Sequence, residues 1–477
     1  MSGCCSHKSD SPKLHLLIVG GGSAAFSAAI KADELGAKVT IINDGLPIGG
    51  TCVNVGCIPS KTLIRAAEVQ HRALRHNFKG ITSDSKITDF RALFQQKTEL
   101  VEELRQAKYL DVVADLPDFQ LIEGRAQFVA SNTVKVNGET FRADRMLIAT
   151  GATSHIPPVP GLEESGYLTN VSAFELTELP KSMIVLGGRY IALECAQMFA
   201  RLGTKVTILQ RSSRILPTES EDLTDELTRY LKDEGIDVVT DVALQEVSKA
   251  NEKFFVKAKV NGHDQTFQAE HVLVTTGRTP NTKDMGLENI GIRLDEKGFI
   301  KVNDQLQTSR KNVYAAGDVI GEPMFVYTAA YEGALAAENA VTGNSRRRDY
   351  TVLPWVIFTD PQVAGVGLDE QQARQQDMDV DTAKLPLSHV PRSIAARDTR
   401  GFIKLIRDKK TDKLIGARIL APEGSELLME VSLAIRHGIT VKEIVSAFHP
   451  YLTLSEGIKL VAITFGKDVS KLSCCAT

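Results

Sequence analysis

The chain has 477 residues, too many for one hydrophobic core, so about three domains are expected. Its 43% hydrophobic and 24% charged residues are ordinary for a soluble globular protein. A net charge of -3 excludes a general attraction to nucleic acid or to an anionic membrane. The one basic run, Arg346-Arg347-Arg348, is expected in a solvated linker between domains. Seven cysteines, an odd and small number, exclude a disulfide scaffold. Six of them sit in close pairs: Cys4 with Cys5, Cys52 with Cys57, and Cys474 with Cys475. Paired thiols in a reducing compartment point to redox or metal chemistry.

In chain order, residues 1–13 read as a flexible tail. Residues 14–43 read as a strand, a glycine turn (Gly20-Gly21-Gly22-Ser23-Ala24-Ala25), a small-residue helix and a Lys-Val-Thr-Ile strand. This is a dinucleotide-binding unit. One glycine lets the chain turn, a second lets backbone approach a pyrophosphate, and a small third residue packs helix on sheet. The helix N-terminus then offers N–H groups to phosphate. The apolar stretch 14–30 is short for a membrane span and is interrupted by three glycines, so insertion is not expected. No secretory signal is read, and the cytoplasm is the expected location. Such a unit ends in an acid for the adenine ribose. Here the place is Asn43, followed by Asp44 and Gly45. Either Asn43 bonds the ribose hydroxyls or Asp44 serves after a one-residue shift.

The segment Gly49-Gly50-Thr51-Cys52-Val53-Asn54-Val55-Gly56-Cys57-Ile58-Pro59-Ser60-Lys61 is the most specific in the chain. Cysteines five apart lie about 140° apart around a regular helix. To meet they need a distorted first turn, for which Gly56 and Pro59 are suited. A helix N-terminus and Lys61 favour thiolate there. Residues 63–110 read as helical and 119–143 as strands. A second dinucleotide unit covers 182–210, with the turn Gly187-Gly188-Arg189-Tyr190-Ile191-Ala192. Arg189 replaces the usual second glycine, which alters how the loop lies over a pyrophosphate. The second strand ends Gln210-Arg211-Ser212-Ser213-Arg214, with no acid at the ribose position. A guanidinium in place of a carboxylate favours a 2′-phosphate, hence NADPH. Arg211 is the expected contact, and Arg214 taken alone reads as a surface charge. Beyond residue 345, strands near 402–406 and 414–420 and helices near 425–437 and 455–465 form an α+β domain without a nucleotide turn.

The cysteine segment resembles the redox-disulfide motif of the flavoprotein disulfide reductases, and the resemblance covers nearly the whole chain, from Leu14 to the end. Ala149-Thr150-Gly151, Thr276-Gly277-Arg278-Thr279-Pro280-Asn281 and Ala315-Ala316-Gly317-Asp318 follow in the family's order. The resemblance implies an α/β chain with two Rossmann-like dinucleotide-binding domains and a C-terminal α+β dimerisation domain. The FAD domain is expected at 14–151 and 275–345, the NAD(P)H domain at 152–274, and the dimerisation domain at 346–477. It implies FAD on Gly20, Gly22, Ser23, Ala24, Ala25, Gly50, Thr51, Ala126, Thr150, Gly151 and Val326, with Asp318 on the ribityl chain. It implies NADPH on Gly187, Tyr190, Glu194 and Gly277, beside Arg189, Arg211 and Arg214. Lys61 is implied near flavin N5 and paired with Glu194. Cys57 is implied as the thiolate against the flavin, and Cys52 as the thiol that exchanges with substrate.

The C-terminus speaks to the substrate. Adjacent cysteines such as Cys474 and Cys475 close a strained ring on oxidation and make a poor structural disulfide. As thiolates they are soft ligands suited to a soft metal ion. The tail is similar to that of mercuric reductases, which implies Cys52, Cys57, Cys474 and Cys475 as metal ligands. It is also similar to that of thioredoxin reductases ending in paired cysteines. The run His449-Pro450-Tyr451-Leu452-Thr453-Leu454-Ser455-Glu456 separates the two. Disulfide reductases use a histidine five residues before the glutamate; that place is Tyr451, and His449 is seven before. A phenol of pKa near ~10 is a poor base at pH 7. Mercuric reductases carry tyrosine at this place, and Tyr190 matches a second family tyrosine near the nicotinamide. The resemblance therefore implies NADPH-dependent reduction of Hg(II), delivered as thiol complexes, in a homodimer whose sites are shared across the interface. The alternatives are a thioredoxin- or glutathione-type disulfide reductase, and a non-catalytic soft-metal-binding flavoprotein. Cys4 and Cys5 read as part of a tail or as a spare metal-collecting pair, and Cys195 as a packing residue. The ten histidines show no ligand spacing.

Overall fold

The structure, a computed structural model, describes residues 13–468. The cysteine pairs Cys4–Cys5 and Cys474–Cys475 singled out above lie outside those residues. The chain forms two compact units. Among the described residues the first takes 13–59, 96–155 and 277–348; the second takes 60–95, 156–276 and 349–468.

The first unit is built on a five-stranded parallel sheet in the order Val313–Ala315, Arg145–Ile148, His15–Val19, Lys38–Asn43, Phe119–Glu123. Its central strand is apolar from Leu16 to Val19 because both faces are covered, and Leu16, Leu17 and Ile18 are fully buried. Helix α1 (Ser23–Glu34) turns Ala24, Ala25, Ala28, Ala29 and Ala32 inward. This small-residue face lets the Val326–Thr342 helix approach so closely that a Cβ on Gly333 would lie 2.0 Å from the Ala24 carbonyl oxygen. Phe128, Val134 and Val136, from an antiparallel sheet over 127–142, join a core with Leu17, Val19 and Met146 from the parallel sheet.

The expected helical run over 63–110 is interrupted. Helix α2 (Gly50–Val55) is followed by α3 (Cys57–Leu74), which ends well before the next helix at Phe90–Arg105. The gap carries Asn77, Gly80, Ser83, Asp84 and Ser85. These types hydrogen-bond locally or turn the backbone in competition with helix. The helix then widens into a π turn at Gln106–Leu110.

The second unit holds a parallel sheet, Asp237–Val239, Lys205–Leu209, Ser182–Leu186, His271–Val274, and an antiparallel one over 242–269. It also holds a five-stranded antiparallel sheet in the order Trp355–Ile357, Gln362–Gly367, Leu414–Ala421, Phe402–Asp408, Val380–Pro386. The C-terminal α+β pattern is present, with the helices Leu428–Arg436 and Glu456–Ile463.

A buried charge network ties distant parts of this unit together. Arg201 donates to both Glu234 oxygens at 2.8 and 2.6 Å and to the Asp360 carboxylate at 3.0 Å. Arg400 meets Asp360 at 3.0 Å and Asp398 at 2.7 Å. Gln197 accepts from the Asp360 amide at 2.7 Å. Each buried charge thereby has an opposite partner, which offsets its desolvation.

Candidate active site

The cysteine segment is shaped by a hinge. Cys52 lies inside α2 and Cys57 opens α3, so the break falls at Gly56 between them. The two cysteines thus sit on different helices, which removes the 140° separation a single regular helix would impose. A side chain at Gly56 does not fit, because its Cβ would lie 2.8 Å from the Thr51 carbonyl oxygen. Both cysteines are half-buried. Cys57 sits at the positive end of an 18-residue helix, where negative charge is favoured. Gly56→Val is expected to pry the helices apart. The test is to oxidise the purified protein, denature it and titrate its thiols. A full Cys52–Cys57 disulfide in the variant would overturn the hinge argument.

Two residues in this segment's surroundings escaped sequence reasoning. Asn54, between the cysteines, donates to the carbonyls of Pro47 at 2.9 Å, Ile48 at 3.1 Å and Gly50 at 2.9 Å. Its own oxygen accepts from Arg105 at 3.1 Å. It pins the loop that leads into α2. Tyr109 comes from the π turn, a form often found at functional sites. Its hydroxyl is 3.5 Å from Ser23 Oγ and its ring meets Phe26 edge-on at 5.0 Å. Burial pushes its pKa up, the Ser23 contact pulls it down, and charge on Cys52 and Cys57 raises it further. Tyr109 therefore lies within electrostatic reach of both thiols. No local pattern marks it; only the fold brings it there.

The first unit fits a flavin dinucleotide. α1 begins at Gly22 with no side chain capping it, and the small residues Ser23, Ala24 and Ala25 follow. A Cβ on Gly50 would lie 2.6 Å from Gly22 Cα, so the cysteine segment lies directly against the glycine turn. Asn43 ends its strand and donates to the Leu46 carbonyl at 2.9 Å, while its oxygen faces the turn 2.4 Å from where a Gly21 Cβ would be. Asp44 and Gly45 are exposed. Thr150 Oγ1 donates to the Asn281 carbonyl at 2.7 Å, and the Asn281 amide donates to Gly151 at 3.0 Å. Gly277 accepts from His155 at 2.9 Å, and Ala126 is buried. Val326 opens its helix and is half-buried. Asp318 has Arg278 at 3.8 Å; burial pushes its carboxyl up and Arg278 opposes that. Its remaining acceptor capacity suits a hydroxylated chain.

In the second unit Lys61 Nζ lies 2.6 Å from Glu194 Oε2, and the other Glu194 oxygen accepts from the Phe358 amide at 3.0 Å. The same ammonium sits 4.6 Å from the centre of the Phe358 ring. Lys61 is thus held by a carboxylate and an aromatic face. Arg189 precedes the Tyr190–Leu202 helix with extended backbone, φ -109° and ψ -167°. Any residue adopts that conformation, so arginine in place of glycine strains nothing. The reading of Arg214 as a surface charge needs correction: it is half-buried and its Nε has no hydrogen-bond partner. The surrounding loop folds over it, with Nη2 3.4 Å from the Pro217 carbonyl. Arg211 is exposed. Tyr190 stacks on Trp355, a contact sequence reasoning missed, with centroids 6.1 Å apart and planes at 12°.

Tyr451 is exposed. His449 is not realigned towards Glu456. Its Nε2 lies 2.7 Å from Glu430, while Glu456 accepts from the Leu452 amide at 3.1 Å. Among the described residues, no cluster of three or more acids, histidines or cysteines forms a metal cage, and no helix is long and apolar enough to cross a membrane.

Residues 14–333 match the profile of the pyridine nucleotide-disulphide oxidoreductases, and 353–462 match the dimerisation domain of that group. The chain is similar to a mercuric reductase of Staphylococcus aureus, at 45% identity over 97% of this chain and 84% of the relative. It is similar to one of Streptomyces lividans at 41% identity, over 97% and 98%. Among solved structures it resembles the Cu(II) complex of the HOCl-induced flavoprotein disulfide reductase RclA of Escherichia coli. That match has a TM-score of 0.86 and 30% identity, over 96% of this chain and 100% of the other. Glycine turns, cysteine hinge and these likenesses agree that the chain belongs to the pyridine nucleotide-disulphide oxidoreductase family, alongside the mercuric reductases.

Proposed function

We propose that the chain is an NADPH-dependent, FAD-containing reductase that converts Hg(II) to Hg(0) at Cys52 and Cys57. The observation that carries this over disulfide exchange is the run 449–456: Tyr451 stands five residues before Glu456, in the base position, while His449 stands seven before and turns to Glu430 instead of Glu456. A disulfide substrate needs a base for its departing thiol, whereas a metal ion reduced to the element leaves none to protonate. The likeness to mercuric reductases supports the same reading.

The bound flavin supplies two electrons taken from NADPH. Everything else falls to side chains. Cys474 and Cys475 collect Hg(II) from small thiols, and exchange between thiolates passes it to Cys52 and Cys57. Soft thiolates hold a soft ion throughout, so it is never released to water. Two electrons reduce the ion, and both thiolates are recovered. Lys61, held by Glu194, keeps positive charge one helical turn beyond Cys57. Asp318 and the first glycine turn hold the flavin; Gly187, Arg211 and Arg214 hold NADPH. The match to a dimerisation domain, and the exposed Met429, Leu433, Phe448 and Leu452, support a homodimer in which the paired tail cysteines serve the partner's site. The FAD domain is assigned to 14–151 and 275–345, the NADPH domain to 152–274 and the dimerisation domain to 346–477. A cytoplasmic location suits the need for NADPH and reduced thiols.

The test is NADPH-dependent loss of volatile mercury from purified protein, run beside oxidised thioredoxin and glutathione disulfide. Turnover confined to the disulfides would defeat the proposal. Replacing Cys474 and Cys475 by alanine is expected to impair turnover of thiol-complexed Hg(II) and to leave flavin reduction by NADPH intact. Unchanged mercury turnover would defeat the tail relay.

A further inference from the structure

Tyr190, Trp355 and Arg418 form a continuous stack that ends on the loop carrying Arg211 and Arg214. Trp355 is the chain's single tryptophan. In the antiparallel sheet it pairs with Gly365, which pairs in turn with Arg418. The absent side chain at Gly365 lets the indole lie across the sheet: a Cβ there would fall 2.5 Å from Trp355 Cζ2. One side of the register brings the Arg418 guanidinium 5.6 Å from the indole centre, within cation–π range. Tyr190 stacks on the same indole at 12°.

Arg418 is 1% exposed, and its charge is answered by Glu219, whose Oε2 accepts from Nε at 2.8 Å. Nη1 donates to backbone, including the Ala417 carbonyl at 2.9 Å, while Nη2 meets the Gln372 side chain at 3.4 Å and lies 3.8 Å from the Asp369 carboxylate. Glu219 closes the loop that follows the second strand of the NADPH unit. Its amide donates to Leu216 at 2.9 Å, and the Leu216 amide donates to Gly188 in the glycine turn at 2.9 Å. Arg214 in this loop holds a buried Nε with no partner. An anion arriving there has a donor to satisfy.

We infer that Glu219, Arg418 and Trp355 are positioning residues that couple the 2′-phosphate end of the NADPH site to Tyr190 at its other end. The inference rests on the NADPH reading given above. A phosphate drawn onto Arg214 and Arg211 shifts the loop and, through it, Glu219. Arg418 follows Glu219, the carboxylate it hydrogen-bonds at 2.8 Å and the nearer of its two, because a charge-assisted bond in a buried place is costly to lose. The indole between Arg418 and Tyr190 then changes its packing. Coupling of this kind is carried by contiguous packed and hydrogen-bonded groups.

The single tryptophan makes this readable without turnover. The FAD-loaded full-length protein is titrated with adenosine 2′,5′-bisphosphate, which carries the phosphates but no nicotinamide. Binding is followed by calorimetry and Trp355 emission in parallel. The expected result is a saturable emission change with the same midpoint as the calorimetric isotherm, and no change with 5′-AMP. Glu219→Gln and Gly365→Ala are expected to keep calorimetric binding and lose the emission response, the first by loosening Arg418 and the second by displacing the indole. Binding without an emission change, an equal response to 5′-AMP, or a full response in both variants would overturn the coupling while leaving the NADPH reading intact. Absence of any binding would overturn the NADPH reading and the coupling together.

Discussion

Replacement of Cys57 or Cys52 by serine is expected to abolish mercury reduction, by about 10⁴-fold or more, the scale seen when one member of a catalytic unit is removed. Serine preserves volume and leaves α2, the Gly56 hinge and α3 undisturbed. It replaces a soft sulfur by a hard oxygen that neither binds Hg(II) nor exchanges with thiolate. Anaerobic bleaching of the flavin by NADPH should survive in both variants, because Tyr190, Lys61 and Glu194 are untouched. The check is volatile mercury loss beside stopped-flow flavin absorbance. A serine variant within tenfold of the parent in mercury turnover would remove the cysteine pair from the mechanism.

Arg201→Met is expected to be the most damaging substitution for stability. The Arg201 side chain is 3% exposed and answers both Glu234 and Asp360. Methionine fills much of the volume but leaves two buried carboxylates short of a partner. Breaking such a pair costs about 3–5 kcal/mol. Chemical denaturation followed by circular dichroism measures it, and a loss below about 1 kcal/mol, the range of an exposed ion pair, would show that the network is not structural. The pH dependence has a definite sign. Burial pushes the Asp360 carboxyl up, but Arg400 and Arg201 more than offset this and hold it below the usual range. Its stabilisation is therefore present above the unfolded pKa near ~3.9 and fades as pH falls through the lower folded value. The gap between parent and variant should narrow only in that acidic window.

The two glycine turns, the Gly56 hinge and the C-terminal change of pattern were legible in the chain. Each is a local matter: strand period, helix period and residues that tolerate close backbone approach lie within a few positions of one another. The pairing of Lys61 with Glu194 came from family resemblance, since nothing local connects residues so far apart. The break after Leu74 was harder to read, because the turn formers of 75–89 stand between two helical stretches of similar composition. Arg214 looked like an ordinary surface arginine, as burial of a long side chain depends on the loop that folds over it.

The chain's own order of residues thus determined the class of chemistry: two dinucleotide turns, a dithiol at a helix start, and a tyrosine where a base is usual. Tertiary structure alone decided which groups surround that chemistry. Tyr109 comes from a π turn to meet Ser23 and Phe26 beside the glycine turn, Asn54 pins the loop before the thiols, and Trp355 meets Arg418 through the register of an antiparallel sheet and Tyr190 through packing. His449 turns to Glu430, distant in the chain, and not to Glu456. Such contacts depend on register, crossing and burial, which arise only when segments far apart in the chain pack together. Cys52 and Cys57 need their neighbours in sequence to come together, but the groups around them are brought by the fold.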